Sequence, residues 1–123
     1  MNYGHRLDIG VVLATDASSS TAMVELARRA EDLGYDLVTV EERLDEPEGL
    51  DSWTLLSWIA GQTERLHLAA TLQNASFRLP AVTAHAAASL DLLSGGRLGL
   101  AFGAADDWDA IDAMGGQRLT AQE

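Results

Sequence analysis

The sequence predicts an α/β fold of parallel βα units, and three observations predict it. Four short apolar runs, Leu7–Ala14, Leu37–Glu41, Leu66–Leu72 and Leu98–Gly103, begin about 30 residues apart, which is the length of a strand, a helix and two turns. The segments between them carry helical periodicity. The runs themselves are almost wholly apolar, as in Leu37-Val38-Thr39-Val40 and Leu98-Gly99-Leu100-Ala101-Phe102, and parallel strands covered on both faces read that way.

Each helix has a start and a stop. Ser20 or Thr21 opens the first as an N-cap. Met23, Leu26, Ala27, Ala30 and Leu33 then form an apolar stripe, and Gly34 ends it. Asp51 or Ser52 opens the second, which carries Leu55, Leu56, Ile59 and Ala60. Pro80 opens the third, since proline suits the first helical position. That helix runs through Ala81, Ala84, Ala87, Ala88 and Leu92 to Gly95-Gly96, and so much alanine invites close backbone approach. Glu46–Gly49 and Asn74–Leu79 are loops following strands, on the side where α/β folds place ligands. After the fourth strand the sequence predicts a loop and no completed fourth helix.

Four βα units make half of an eight-stranded barrel, which runs to about 250 residues. The predicted domain is therefore a single unit over 1–123, a half barrel left open or completed by another chain. Its edge strands and inner face would be exposed.

Composition limits the function. With 47% apolar and 22% charged residues, the 123-residue chain is neither disordered nor fibrous. The absence of a long apolar run argues against a membrane span, and the opening Met1-Asn2-Tyr3-Gly4-His5-Arg6 is not a signal peptide. A cytoplasmic setting is the expectation. Nineteen acids against eight bases, all arginine, give a net charge of −11. Nucleic acid and anionic lipid are thereby disfavoured as partners. Zero cysteines exclude a thiolate metal site or nucleophile.

The common motifs fail. There is no lysine for a P-loop, no Gly-x-Gly-x-x-Gly after the first strand and no Gly-x-Ser-x-Gly elbow. His5, His67 and His85 lack metal-ligand spacing, and no metal site is expected; His67, within the third strand, reads as a buried, hydrogen-bonded histidine. Of the pair Glu41-Glu42, at most one points inward, where it is a candidate base or ligand contact. The run Asp106, Asp107, Asp109, Asp112 lacks calcium-loop spacing and reads as a solvated face.

Several stretches together resemble one family. Glu31-Asp32-Leu33-Gly34-Tyr35-Asp36-Leu37-Val38-Thr39-Val40, Trp53-Thr54-Leu55-Leu56, Thr63-Glu64-Arg65-Leu66-His67-Leu68, Leu79-Pro80-Ala81-Val82-Thr83-Ala84 and Ser89-Leu90-Asp91-Leu92-Leu93-Ser94-Gly95-Gly96-Arg97-Leu98 occur in the order and spacing of luciferase-like monooxygenases. The resemblance covers nearly the whole chain and the N-terminal half of the family's pattern. It implies a barrel that binds flavin mononucleotide (FMN) or the deazaflavin coenzyme at the strand C-termini. It also implies an oxidoreductase using reduced flavin and oxygen, or moving a hydride to or from deazaflavin.

Carried over by position, Glu41 is the catalytic candidate, and Ala14, Thr71, Gln73, Asn74, Gly103 and Ala104 are the cofactor-binding ones. Two departures stand out. The family often has histidine near Glu41-Glu42, and its Gly-x-Gly-aromatic pattern reads Gly103-Ala104-Ala105-Asp106 here. The resemblance places the phosphate-binding loops in the second half of the barrel and a dimer interface on helices two and three. Trp53, Leu56 and Trp58 fall on the second helix, where they suit either that interface or packing on the sheet. A homo-oligomer or a completing second half is the expected partner; a non-catalytic flavin-binding or assembly role is the alternative function.

Overall fold

The computed structural model describes residues 4–14, 20–41, 49–74, 77–103 and 108–116, with only the backbone at Ser20 and 72–74. Its elements are β1 (Gly10–Leu13), α1 (Ser20–Asp32), β2 (Leu37–Glu41), α2 (Ser52–Ala60), β3 (His67–Asn74), α3 (Pro80–Ser94), β4 (Leu98–Gly103) and α4 (Trp108–Ala113). The four strands form one parallel sheet in the order β1-β2-β3-β4. Parallel neighbours need crossovers, and each helix supplies one.

The core lies between the sheet and the helices. Leu13, Val38, Val40, Leu68 and Ala70 point at Met23, Ala27 and Ala30 of α1, at Leu55, Leu56 and Ile59 of α2, and at Ala87 and Leu90 of α3. Side chains alternate along a strand, so Val12, Thr39, Ala69 and Gly99 face the other way. That face carries no helix among the described residues. The apolar runs read as strands covered on both faces, yet Val12 is 67% exposed while Val38 and Val40 are fully buried, the open inner face expected of a half barrel. An apolar run records what a strand meets in a closed barrel, and this sheet is open.

Helix boundaries follow their chemistry. Asp51 caps α2, accepting 2.8 Å hydrogen bonds from the Thr54 backbone N–H and hydroxyl. Pro80 stands at the first turn of α3, and Gly95 closes it in the left-handed conformation at φ 74°. Two predicted stripes are corrected. On α1, Leu26 and Leu33 are exposed, lining with Val12, Leu13 and Tyr35 a groove of about 490 Å³ beside the β1 edge. On α3, Ala87 and Leu90 are buried, whereas Ala81, Ala84, Ala88 and Leu92 are exposed. A fourth helix also exists where only a loop was expected. It is six residues long and anchored by buried Ile111; its aspartates hid the apolar spacing of Trp108, Ile111 and Met114.

Arg97 sits beneath the crossovers, 8% exposed. Its Nε donates to the Ser94 carbonyl at 2.6 Å, one terminal nitrogen to the Thr63 hydroxyl at 2.9 Å and the Leu66 carbonyl at 3.0 Å, and the other to the Ala60 carbonyl at 2.8 Å. Ala60 and Ser94 are the last residues of α2 and α3, so one cation serves two helix C-termini, where the dipole is negative. Glu31 does the converse at the entry to β3, accepting backbone N–H bonds from Glu64, Arg65 and Leu66 at 2.6–3.2 Å.

Candidate active site at the strand C-termini

Register decides what stands together at the C-terminal end of the sheet. Leu13 pairs with Val40, so Ala14 follows β1 at the level of Glu41. Glu41 pairs directly with Thr71, and Asn74 with Gly103. With strands about 4.8 Å apart, Ala14, Glu41 and Thr71 form a row across β1, β2 and β3. The row reaches β4 through a bulge. From Ala70 to Gln73 the third strand advances three residues while its partner advances two, from Leu100 to Phe102. Bulges of this kind re-aim side chains at barrel rims, and no feature of the Ala69-Ala70-Thr71-Leu72-Gln73 sequence announces it.

Of the predicted residues, Ala14 and Glu41 are exposed, and Thr71 and Gly103 half-buried. Thr71 donates its hydroxyl proton to the Val40 carbonyl at 3.2 Å, which leaves its lone pairs to accept. Gln73 and Asn74 are placed by their backbone at the end of β3. Glu42, Ala104, Asp106 and Asp107 lie outside the described residues. Asp109 and Asp112 are exposed on α4, and no group of metal-ligating side chains gathers among the described residues.

His67 is corrected. It opens β3 at the opposite end of the sheet and is exposed, with its backbone N–H donating to the Asp36 carbonyl at 2.9 Å. Being near the strand start, it lies below the core rather than within it.

A second polar group reinforces the mouth, and motif reading missed it. Arg78, from the loop after β3, pairs with Asp51 at the start of α2, and its guanidinium lies 6.0 Å from the centre of the Trp53 ring. The two loops are thereby tied together. Burial raises the Asp51 pKa; the Thr54 N–H and hydroxyl, with the Arg78 charge, outweigh it and hold the carboxyl below its ordinary range. The signal in sequence was faint: one of eight arginines in a chain of 19 acids, within the loop that runs into Pro80. Trp53 and Leu56, left open between interface and core, are buried in the chain; Trp58 is 65% exposed.

The luciferase-like monooxygenase family profile matches residues 2–122. A Mycobacterium tuberculosis protein named a coenzyme F420-dependent oxidoreductase is 37% identical over 95 residues, which is 77% of this chain and 26% of that protein. An F420-dependent glucose-6-phosphate dehydrogenase of Amycolatopsis mediterranei is 31% identical over 115 residues, 89% of this chain and 34% of the relative. The chain thus spans about a quarter to a third of the curated relatives it matches.

Among solved structures, the coenzyme F420-dependent tetrahydromethanopterin reductase of Methanopyrus kandleri superposes with a TM-score of 0.78 at 27% identity, over 90% of this chain and 30% of that one. An F420-dependent secondary alcohol dehydrogenase gives 0.80 at 22% identity over 96% and 37%, a likeness of fold. With its four parallel βα units and a profile match across almost its whole length, the chain belongs to the luciferase-like monooxygenase family.

Proposed function

We propose that this chain supplies the N-terminal part of a flavin- or deazaflavin-dependent oxidoreductase, with the cofactor ring resting on the C-terminal row of the sheet. The observation that supports this most is the register. It sets Ala14, Glu41 and Thr71 side by side and brings Asn74 opposite Gly103.

The residues fit the ring end of such a cofactor. Ala14 and Gly103 present almost no side chain, so a flat ring can approach the backbone there. The Thr71 hydroxyl accepts at its edge, and Gln73, Asn74 and the backbone around Gly103 and Ala104 complete the proposed contacts. Glu41, at the end of β2 opposite Thr71, is the proposed proton-handling group. A bound reduced flavin or deazaflavin supplies the hydride or the oxygen-reactive electrons. The protein's part is to orient the ring, hold a proton at the Glu41 carboxyl and shield the site.

The phosphate end is not built by this row. Arg78 is committed to Asp51 and Trp53, so the anionic part of the cofactor needs groups from a completing segment. Full activity accordingly belongs to the completed barrel, and a cytoplasmic setting suits such an enzyme. Among the described residues no helix is long and apolar enough to cross a membrane.

Titration with FMN and with coenzyme F420, followed by cofactor fluorescence, tests the reading. Saturable quenching that is weakened about tenfold by Thr71→Val, with a Glu41→Gln form that binds but turns over slowly, is the expected result. Equal binding by wild type and a Gly103→Val, Thr71→Val double variant refutes it.

A further inference from the structure

The start of α3 has no cap of its own. Its N-cap residue is Leu79, and no side-chain hydrogen bond closes that end, where a short polar side chain commonly does so. The chain is fixed instead one residue earlier. The Arg78 guanidinium meets Oδ2 of Asp51, while Oδ1 of the same carboxylate accepts from the Thr54 N–H and hydroxyl at 2.8 Å. One carboxylate thus holds the starts of two helices, with one oxygen for each. Trp53, 7% exposed, backs the guanidinium at 6.0 Å. The neighbouring Phe77 is half-buried, and its ring lies 3.5 Å from where a Cβ would stand on Gly116, just beyond α4.

These anchors stand next to the end of β3. Asn74, its last residue, pairs with Gly103, and Gln73 pairs with Phe102. Both pairs lie above the irregularity between Ala70 and Gln73, so they are cut off from the regular ladder below. A strand end separated in this way depends on what holds its far side, and four residues on from Asn74 that is Arg78.

We infer that Arg78, acting through Asp51, is a positioning residue for the candidate cofactor row: the pair holds the last two residues of β3 opposite β4. This rests on the flavin-site reading for its purpose. It adds that a side chain outside the row, which makes no contact with the ring, sets the order of the ring's edge contacts. Without the pair, cofactor binding must order that strand end itself, and the ordering costs affinity.

Two substitutions isolate the pair. Arg78→Met keeps an unbranched stem beside Trp53 and removes the charge. Asp51→Asn keeps an oxygen for Thr54, since asparagine caps as well as aspartate, and puts an amide donor in place of Oδ2. Amide exchange of the full chain at 73–74 and 102–103 should quicken about threefold or more in each variant, while Val38 and Leu68 stay slow. The binding probe is lumiflavin, a flavin ring without the phosphate chain. Each single variant should weaken it about fivefold, the weight of one partly exposed ion pair, and the double variant should weaken it no further. Arg78→Lys, which keeps a charge for Asp51, should bind it more tightly than Arg78→Met.

Unchanged exchange at 73–74 and 102–103 overturns the inference, and so does unchanged lumiflavin affinity in variants of a chain that binds it. Additive losses in the double variant, or Arg78→Lys no better than Arg78→Met, also overturn it. So does Asp51→Asn binding FMN more tightly while Arg78→Met binds it more weakly, which makes Arg78 a phosphate ligand. A wild-type chain that binds no lumiflavin, with the exchange changes present, refutes the flavin site and upholds the clamp on the strand end. Lumiflavin binding with unchanged exchange does the reverse.

Discussion

Replacing Arg97 removes a side chain that joins α2, α3 and the entry to β3. The guanidinium donates four hydrogen bonds, three of them to the carbonyls of Ala60, Leu66 and Ser94, and it is 8% exposed. In Arg97→Ala those carbonyls lose their donors, at about 1–3 kcal/mol each when buried. Loss of the aliphatic stem adds a cavity. Water entry and relaxation recover part of this, so the expected loss is about 3–5 kcal/mol, a large share of the roughly 5–15 kcal/mol that holds a domain together. Arg97→Lys keeps the charge but has no planar fork to reach three directions at once, and should lose about 2 kcal/mol. Urea unfolding followed by circular dichroism and tryptophan fluorescence reads both. A midpoint shift at constant slope gives the loss directly. If Arg97→Ala falls within about 0.5 kcal/mol of wild type, the range of an ordinary surface substitution, the clamp does not exist as drawn.

Other perturbations separate the remaining elements. Burial raises the Glu31 pKa, but the N–H donors of Arg65, Leu66 and Glu64, helped by the Arg65 charge, outweigh it and hold the carboxyl below its ordinary range. A carboxyl depressed on folding contributes stability above its unfolded pKa and loses it as pH falls through the lower folded value. Thermal melts of wild type and Glu31→Gln should therefore differ at pH 7 and converge as pH drops through the carboxylate range; a gap that persists at pH 2 contradicts this. Asp51→Ala removes the α2 cap and the Arg78 partner together, and chemical denaturation should show a loss of at least about 1 kcal/mol. Trp53→Ala should cost about 3–5 kcal/mol as a buried aromatic, against less than about 0.5 kcal/mol for exposed Trp58→Ser. Gly95→Ala, forced to keep φ near 74°, should cost about 1–2 kcal/mol.

The sequence carried the fold because its punctuation is chemical. Asp51, Pro80, Gly34 and Gly95 mark helix ends by capping, fixed φ or positive φ, and the structure uses each of them. The β2 and β4 boundaries coincide with the apolar runs at Leu37–Glu41 and Leu98–Gly103. What failed depended on neighbours the pattern does not contain. The position of His67 relative to the end of the sheet is set by register, and the exposure of Leu26, Leu33 and Leu92 by what covers an edge or a helix. The row through Glu41 and Thr71 was legible as strand ends alone. The bulge between Ala70 and Gln73, which alters the pairing of β3 with β4 just below Asn74 and Gly103, was not, because it arises from how two strands pair. The proposed roles of Glu41, Thr71 and Gly103 are the ones the titrations above test.

The two faces of the sheet are unequal in what they require. On the helix side, Val38, Val40, Leu66, Leu68 and Ile59 are almost completely buried, and the buried cation among them has four acceptors within 3.0 Å. That side is satisfied by the chain itself. On the inner side, Val12 is largely exposed and the Thr39 hydroxyl has no partner. The candidate catalytic row stands at the rim of this face, and Thr71 ties it to β2 through the Val40 carbonyl. Stability and chemistry are thus separable in this chain. Substitutions at Arg97 or Leu56 should unfold it without touching the proposed cofactor row. Thr71→Val should change what the sheet binds and, losing one hydrogen bond to the Val40 carbonyl, move the melting curve far less than either.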